Sequence, residues 1–255
     1  MRKLFIAKLV VGLSLAASGS AFAAGDVLPP KAMKWNFDGI FGTYDRASAQ
    51  RGLQVYKEVC SSCHGLRLVA YRNIMDLGYT EDQVKAFAKE YEVQNEEPND
   101  EGEMFNRPAR PSDRFVSPFP NQQAARAANG GAYPPDLSLI TKARANGPSY
   151  LYSLLTGYKD VPDGVEEQEG LNYNPYFPGS WIAMAPPLTE DAVEYTDGTK
   201  ASIDQMAKDL TYFLTWAAAP DLEKRKGTGL SVMMFLVVFT GLLIAVKKKV
   251  WSDVH

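Results

Sequence analysis

Apolar positions fall into two patterns: unbroken runs near the two ends of the chain, and short stretches at three-to-four-residue spacing between them. In the middle, Thr80-Glu81-Asp82-Gln83 has the form of a capping box and is followed by Val84, Phe87 and Tyr91 on one face, which predicts a helix from about Glu81 to Tyr91. Ser202-Ile203-Asp204-Gln205 repeats the pattern, with Met206, Leu210, Phe213, Leu214 and Ala217 on one face until Pro220 stops the helix. Shorter helices are predicted over Asn121 to Ala128, closed by Asn129-Gly130-Gly131, and over Ser149 to Thr156, closed by Gly157. Ser48 to Val59 is expected to be helical as well. Gln94 to Pro120 and Tyr158 to Lys200 are rich in Pro, Gly, Asn and acidic residues and lack the alternation of strands. Loops of that length need something to pack against, and a large rigid cofactor would supply it.

The two end runs differ in kind. Arg2, Lys3 and Lys8, the apolar stretch Leu9 to Ala17 and the small-x-small triplet Ala21-Phe22-Ala23 have the form of a secretory leader over residues 1–23, with the mature chain starting near Ala24. Retention of Leu4 to Ala23 as a membrane helix is the alternative, and the shortness of the run and its Gly and Ser content oppose it. Leu230 to Val246 carries no charge and is apolar on every face, about 26 Å of helix against a hydrocarbon core of about 30 Å. Lys224-Arg225-Lys226 and Lys247-Lys248-Lys249 bracket it, so residues 224–249 read as a transmembrane anchor with basic flanks. The clusters balance on positive-inside counting, and orientation rests on the leader: a periplasmic domain at 24–223, a cytoplasmic tail at 250–255, and a single-pass protein of the cell inner membrane.

The formal charge of the whole chain is −3, but the body from Ala24 to Glu223 holds 18 basic and 29 acidic residues, a net of −11. A field of that sign favours basic partners and opposes nucleic acid, whose phosphates it repels. The acidic runs Glu90 to Glu103 and Glu166 to Glu169 are solvated loops or docking surfaces; the residues alone do not decide between them.

Only two cysteines are present, both in Cys60-Ser61-Ser62-Cys63-His64. This is the attachment signature of c-type haem. Thiols three residues apart on one helical turn face the same way and can each add to a vinyl group of one porphyrin, while the adjacent His64 offers a neutral imidazole nitrogen to the iron. A thioredoxin-type motif leaves His64 unexplained and lacks a strand leading into it. A zinc site would need ligands beyond Cys60, Cys63 and His64, and the other histidine, His255, lies across the membrane. A plain disulfide would close an unusually small loop.

With His64 the sole histidine of the body, a sixth iron ligand would be methionine or lysine, or the position would be open. Met184, set among Pro175, Pro178, Pro186 and Pro187, is the strongest candidate because restricted chain can hold a weak ligand in place. Met104 sits in a looser acidic loop, Met75 is too close to the haem peptide, and Met206 falls on an apolar helix face. Histidine/methionine ligation raises the reduction potential and closes the iron to small molecules, which suits electron transfer. Arg126 is either a partner for a haem propionate or a solvated surface residue.

Beyond the haem peptide the chain resembles the cytochrome c1 family, bacterial type, the haem-bearing subunits of ubiquinol:cytochrome c oxidoreductases. The resemblance runs in order through Arg51-Gly52-Leu53-Gln54-Val55-Tyr56, Gly102-Glu103-Met104-Phe105, Ala124 to Asn129, Pro134-Pro135-Asp136-Leu137-Ser138, Leu154 to Tyr158, Asn174 to Gly179 and Met184-Ala185-Pro186-Pro187. It implies a mainly α, cytochrome-c-like haem domain with long irregular loops and one C-terminal transmembrane helix. It also implies one covalent haem c on Cys60 and Cys63, His64 and Met184 as axial ligands, and Arg126 near a propionate. The implied role is that of an electron-carrying subunit, not an enzyme by itself, of a respiratory or photosynthetic complex. It would take single electrons from a Rieske iron-sulfur protein, sit beside a cytochrome b subunit, and pass electrons to a cytochrome c. Some relatives have a further disulfide in the body; this chain does not, so its loop from Ala143 to Glu169 is expected to rely on packing.

Overall fold

The computed structural model describes residues 27–253. The leader expected at 1–23, the mature start near Ala24 and His255 lie outside the described residues. The predicted caps form as local chemistry requires. Asp45 accepts from Ser48 N (3.1 Å) to start α1, Arg46–Val55, and Thr80 and Gln83 exchange hydrogen bonds (3.3 and 2.8 Å) to start α2, Glu81–Ala88. Asn121 accepts from Ala124 N (2.8 Å) at α3, Gln122–Ala128, and Ser202 from Gln205 N (3.2 Å) at α5, Ile203–Ala218. Pro220 lies beyond the end of α5, and α6 begins at once as Leu222–Val250.

Some boundaries differ from expectation. The helix α4 is Gly147–Leu155; it begins two residues before Ser149, because Asn146 adopts a left-handed conformation (φ 53°) and Pro148 suits the first turn. That helix takes up a third of the stretch from Ala143 to Glu169, in line with the helix expected over Ser149 to Thr156. The irregular stretches hold two small antiparallel ladders, β1 (Glu92–Gln94) with β2 (Asn106–Pro108), and β3 (Asn172–Tyr173) with β4 (Trp181–Ile182). Strands of two or three residues are too short for alternation to register. The turn between β1 and β2 is held by Asn99 Oδ1, which accepts from Glu101 N (3.0 Å) and Glu103 N (2.9 Å).

The core is organised on the crossing of α1 and α5, the most extensive helix pairing among the described residues. Gly52 permits it: a Cβ added there would lie 2.0 Å from the Asp209 carbonyl oxygen. Next to it, Arg51 grips the fully buried Asp209 carboxylate through Nε (2.8 Å) and Nη2 (3.0 Å), and Gln205 Nε2 also donates to it (3.0 Å). Around this centre Tyr56, Phe213, Leu210, Leu214 and Trp216 are buried. A second aromatic group, Tyr71, Phe87, Tyr91 and Phe115, packs the 3-10 helix Tyr71–Leu77 and α2 against the loop beyond β2.

The last helix α6 has no buried residue, and it is long and apolar enough to cross a membrane. It runs unbroken through both basic clusters, beyond the uncharged run at 230–246. Its first turn is tied to the body: Glu223 accepts from Arg46 Nη1 (2.5 Å), Arg46 Nη2 (2.7 Å) and Tyr44 N (2.6 Å), and the Tyr44 hydroxyl donates to Ala219 O (2.9 Å).

This packing has two measurable consequences. Gly52→Ala forces backbone apart and is expected to cost at least about 1–3 kcal/mol, read as a lower denaturation midpoint, whereas Gly241→Ala, which adds its Cβ to open space in α6, leaves the midpoint unchanged. The Asp113 carboxylate, beside Arg107 (2.6 and 3.0 Å) and Arg110 N (2.7 Å), is held below the usual carboxylate range chiefly by the Arg107 hydrogen bond. A lowered folded-state pKa gives stability that is complete above the ordinary aspartate value and is lost as pH falls through the folded one. Asp113→Asn is therefore expected to flatten part of the acid-side decline in denaturation midpoint, and an unchanged slope would contradict it.

Candidate haem site

The site grows from the end of α1. Where a regular helix is expected to continue to Val59, residues Tyr56–Cys60 form a π turn, with Ser61 N donating five residues back to Tyr56 O (2.8 Å). Such a wide turn adds a residue and re-aims the chain beyond it, a device frequent at functional sites. Cys63 N and His64 N then both donate to Cys60 O (3.1 and 2.9 Å), so the pentapeptide closes into one tight turn. The Tyr56 hydroxyl, at the start of the π turn, braces the far end of the pentapeptide by donating to His64 O (2.9 Å).

His64 Nδ1 lies 2.7 Å from Pro135 O. A carbonyl can only accept, so Nδ1 carries the proton and Nε2 keeps its lone pair for a metal. Burial pushes the imidazole's pKa down, which keeps the ring neutral. The loop that supplies this carbonyl is fixed in turn: Leu137 N donates to Gly65 O (2.9 Å), Asp136 Oδ2 accepts from Arg67 N (2.9 Å), and Ser138 Oγ accepts from Leu68 N (3.1 Å). Together they form a cross-link between 64–68 and 135–138, two segments some seventy residues apart.

The two sulfurs are not bonded to each other. Burial pushes the Cys60 thiol up to about 12, the reverse of the lowered pKa that a disulfide-exchange thiol needs. No group of three or more His, Cys, Asp or Glu is gathered as a metal site among the described residues, which removes the geometry for the zinc reading. Beside the turn lies a cleft of about 250 Å³, lined among others by Cys63, Gly65, Phe119, Ala125, Tyr133 and Pro134. The cleft also has polar lining residues, among them Arg67, Ser117, Asn121, Gln122 and Asp136; the adjacent pair of thiols and a neutral imidazole with one committed nitrogen are the donor set that suits an iron porphyrin.

Of the residues expected at the site, Cys63 lines this cleft, and Cys60 and His64 share its turn. Arg126 is exposed on α3, whose Gln122 and Ala125 face the cleft; it donates to Gly131 O (2.8 Å) and its guanidinium lies 5.6 Å from the ring centre of Tyr133, itself a lining residue. Met184 is half-buried just beyond β4, outside the cleft lining, and its carbonyl accepts from the Tyr158 hydroxyl (3.0 Å). The supporting groups Tyr56, Pro135, Asp136 and Tyr158 are not distinguished by residue type. The one signal that reaches them is the family resemblance, whose segments include all four.

A family model described as the Cytochrome C1 family matches residues 35–254. The chain belongs to the cytochrome c1 family. It is 47% identical over 264 residues to a protein of Rhodospirillum rubrum named cytochrome c1, covering 97% of each chain. A mitochondrial cytochrome c1 heme protein of Solanum tuberosum is 56% identical over 217 residues, 85% of this chain and 83% of that one. A Bradyrhizobium diazoefficiens protein named cytochrome b/c1 is 48% identical over 276 residues; this chain spans 40% of its length. In this cytochrome c1 family chain the Tyr56 hydrogen bond is isolated enough to test. Tyr56→Phe leaves His64 O unpaired and is expected to lower stability by about 0.5–1.5 kcal/mol, measured as the shift in denaturant midpoint; no shift would show that the bond does not brace the turn.

Proposed function

We propose that the chain is the electron-transfer subunit of a quinol:cytochrome c oxidoreductase, holding one c-type haem at Cys60, Cys63 and His64. The observation that carries this reading is the pair of cysteines in one turn with His64, whose Nδ1 proton is committed to Pro135 O and whose Nε2 is left free. When bound, the haem supplies a reversible one-electron couple.

Each residue has a distinct task. Cys60 and Cys63 would hold the porphyrin, each through a thioether formed when its S–H adds across a vinyl double bond. His64 would hold the iron through Nε2, and the Pro135 carbonyl orients the ring and raises its basicity. Met184 would supply a thioether to the iron; the Tyr158 hydrogen bond to its carbonyl and the succeeding Pro186-Pro187 restrain the segment that would present it. Arg126 pairs with a propionate, supported by its place beside Tyr133 and on the helix that lines the cleft. No side chain is asked to move a proton.

The same reading assigns 1–23 to a cleaved leader, 24–223 to a periplasmic haem domain, 224–249 to the membrane anchor and 250–255 to a cytoplasmic tail, in the cell inner membrane. A cytochrome b subunit is the expected neighbour of α6, in keeping with the Bradyrhizobium relative whose name joins b and c1 in one chain. A Rieske iron-sulfur protein is the expected donor. The acidic body suits a basic cytochrome c as acceptor.

Met184→Leu tests the ligand set. Loss of the thioether is expected to lower the midpoint potential and let the reduced protein bind carbon monoxide, with covalent haem retained on a denaturing gel. An unchanged potential would remove Met184 from the ligands. Arg126→Gln, which takes away a positive charge, is expected to lower the potential by a smaller amount, and a potential equal to the parent's would leave Arg126 as a surface residue.

A further inference from the structure

The two most exposed large apolar side chains among the described residues are not on the membrane helix. They are Phe41 at 75% and Ile40 at 71%, above every position of α6. In the body outside α6 the next highest is Leu68 at 52%. A soluble surface tolerates scattered apolar residues, but two adjacent, almost fully exposed ones at a loop tip need a covering.

The loop that presents them is rigid. Asp38 N donates to Trp35 O (3.0 Å), Thr43 N to Asn36 O (3.0 Å) and Trp35 N to Asp38 Oδ2 (3.1 Å). Gly39 takes a left-handed φ of 68°, and a Cβ on Gly42 would lie 2.1 Å from Asp38 O, so the turn closes only with glycine at that position. The flanking Trp35, Phe37 and Tyr44 are buried against Tyr212 of α5 and one another. The tip is thus held outward by a packed base.

The base is also fastened to the first turns of α6. Lys226 Nζ donates to Phe37 O (2.6 Å) and Gly42 O (3.1 Å), the two shoulders of the turn, and Glu223 accepts from Tyr44 N. The apolar run of α6 begins at Leu230, four residues or about 6 Å of helix beyond Lys226. Headgroup layers add only about 5–8 Å to each side of the hydrocarbon core. The loop therefore sits at headgroup depth, at the level where the exposed Lys224 and Arg225 can meet lipid phosphates.

We infer that residues 39–42 form a second membrane contact, in which Ile40 and Phe41 insert into the leaflet entered by the N-terminal end of α6 and, with that helix, fix the body's tilt on the bilayer. Lipid is the occupant because the apolar tip lies at headgroup depth, about one helical turn before the apolar run of α6 and level with the exposed Lys224 and Arg225. The inference stands on the apolar anchor alone and is independent of the haem assignment.

The test is photocrosslinking in native membranes of the full chain carrying p-benzoylphenylalanine at position 41, with the same analogue at 239 in α6 and at 165 in an exposed body loop as references. The expected result is a mass shift of one phospholipid on the peptide containing position 41, as for 239, and none for 165. A polypeptide adduct at 41 would show that a protein partner covers the loop and would overturn the inference. So would the absence of any adduct at 41 while 239 yields lipid.

Discussion

The close crossing of α1 and α5 sets the geometry of the rest. Backbone meets backbone at Gly52 and Asp209, and the neighbouring Arg51 guanidinium neutralises the fully buried Asp209 carboxylate with two hydrogen bonds. Breaking such a pair by removing one partner typically costs about 3–5 kcal/mol, because a charge is stranded away from water. The crossing joins two functional ends of the molecule. The C-terminal end of α1 runs into the cysteine turn, while α5 leads within a few residues to α6. Its rigidity fixes the cofactor site relative to the membrane helix, and Arg46, Tyr44 and Glu223 extend that link into the first turn of the anchor.

The site itself depends on a contact far away in sequence. A pentapeptide that holds two thiols and an imidazole can bind a porphyrin edge, but only an oriented imidazole makes a defined ligand. Orientation comes from Pro135 O, and that carbonyl is placed by the hydrogen bonds of Asp136, Leu137 and Ser138 to Gly65, Arg67 and Leu68. The acidic body and the basic flanks of α6 divide the chain electrostatically, so the field over the body favours positive partners and the flanks favour anionic ones.

Features set by neighbouring residues were readable from the chain. The caps at Asn121, Thr80 and Ser202, the stop before Pro220, the anchor and the cysteine-histidine motif each depend on residues within one or two turns, and each is where the spacing places it. Features set by tertiary contact were not. The π turn at Tyr56–Cys60, the left-handed Asn146 before α4, the two short ladders and the part played by Pro135 arise from packing between distant segments, which no local pattern encodes. Met184 and Arg126 fall between these cases: residue type and the family resemblance single them out, and the structure sets Arg126 beside the lining residue Tyr133 and Met184 against Tyr158, with neither in the cleft's lining.

The central claim is that this chain carries electrons within a quinol-oxidising membrane complex. The most direct measurement is a reduced-minus-oxidised visible spectrum of the complex drawn from native membranes in mild detergent through a tag on this chain. The expected result is c-type and b-type haem signals together, both reduced by ubiquinol. A c-type signal alone, under conditions that preserve membrane complexes, would contradict it and make the chain an independent anchored carrier.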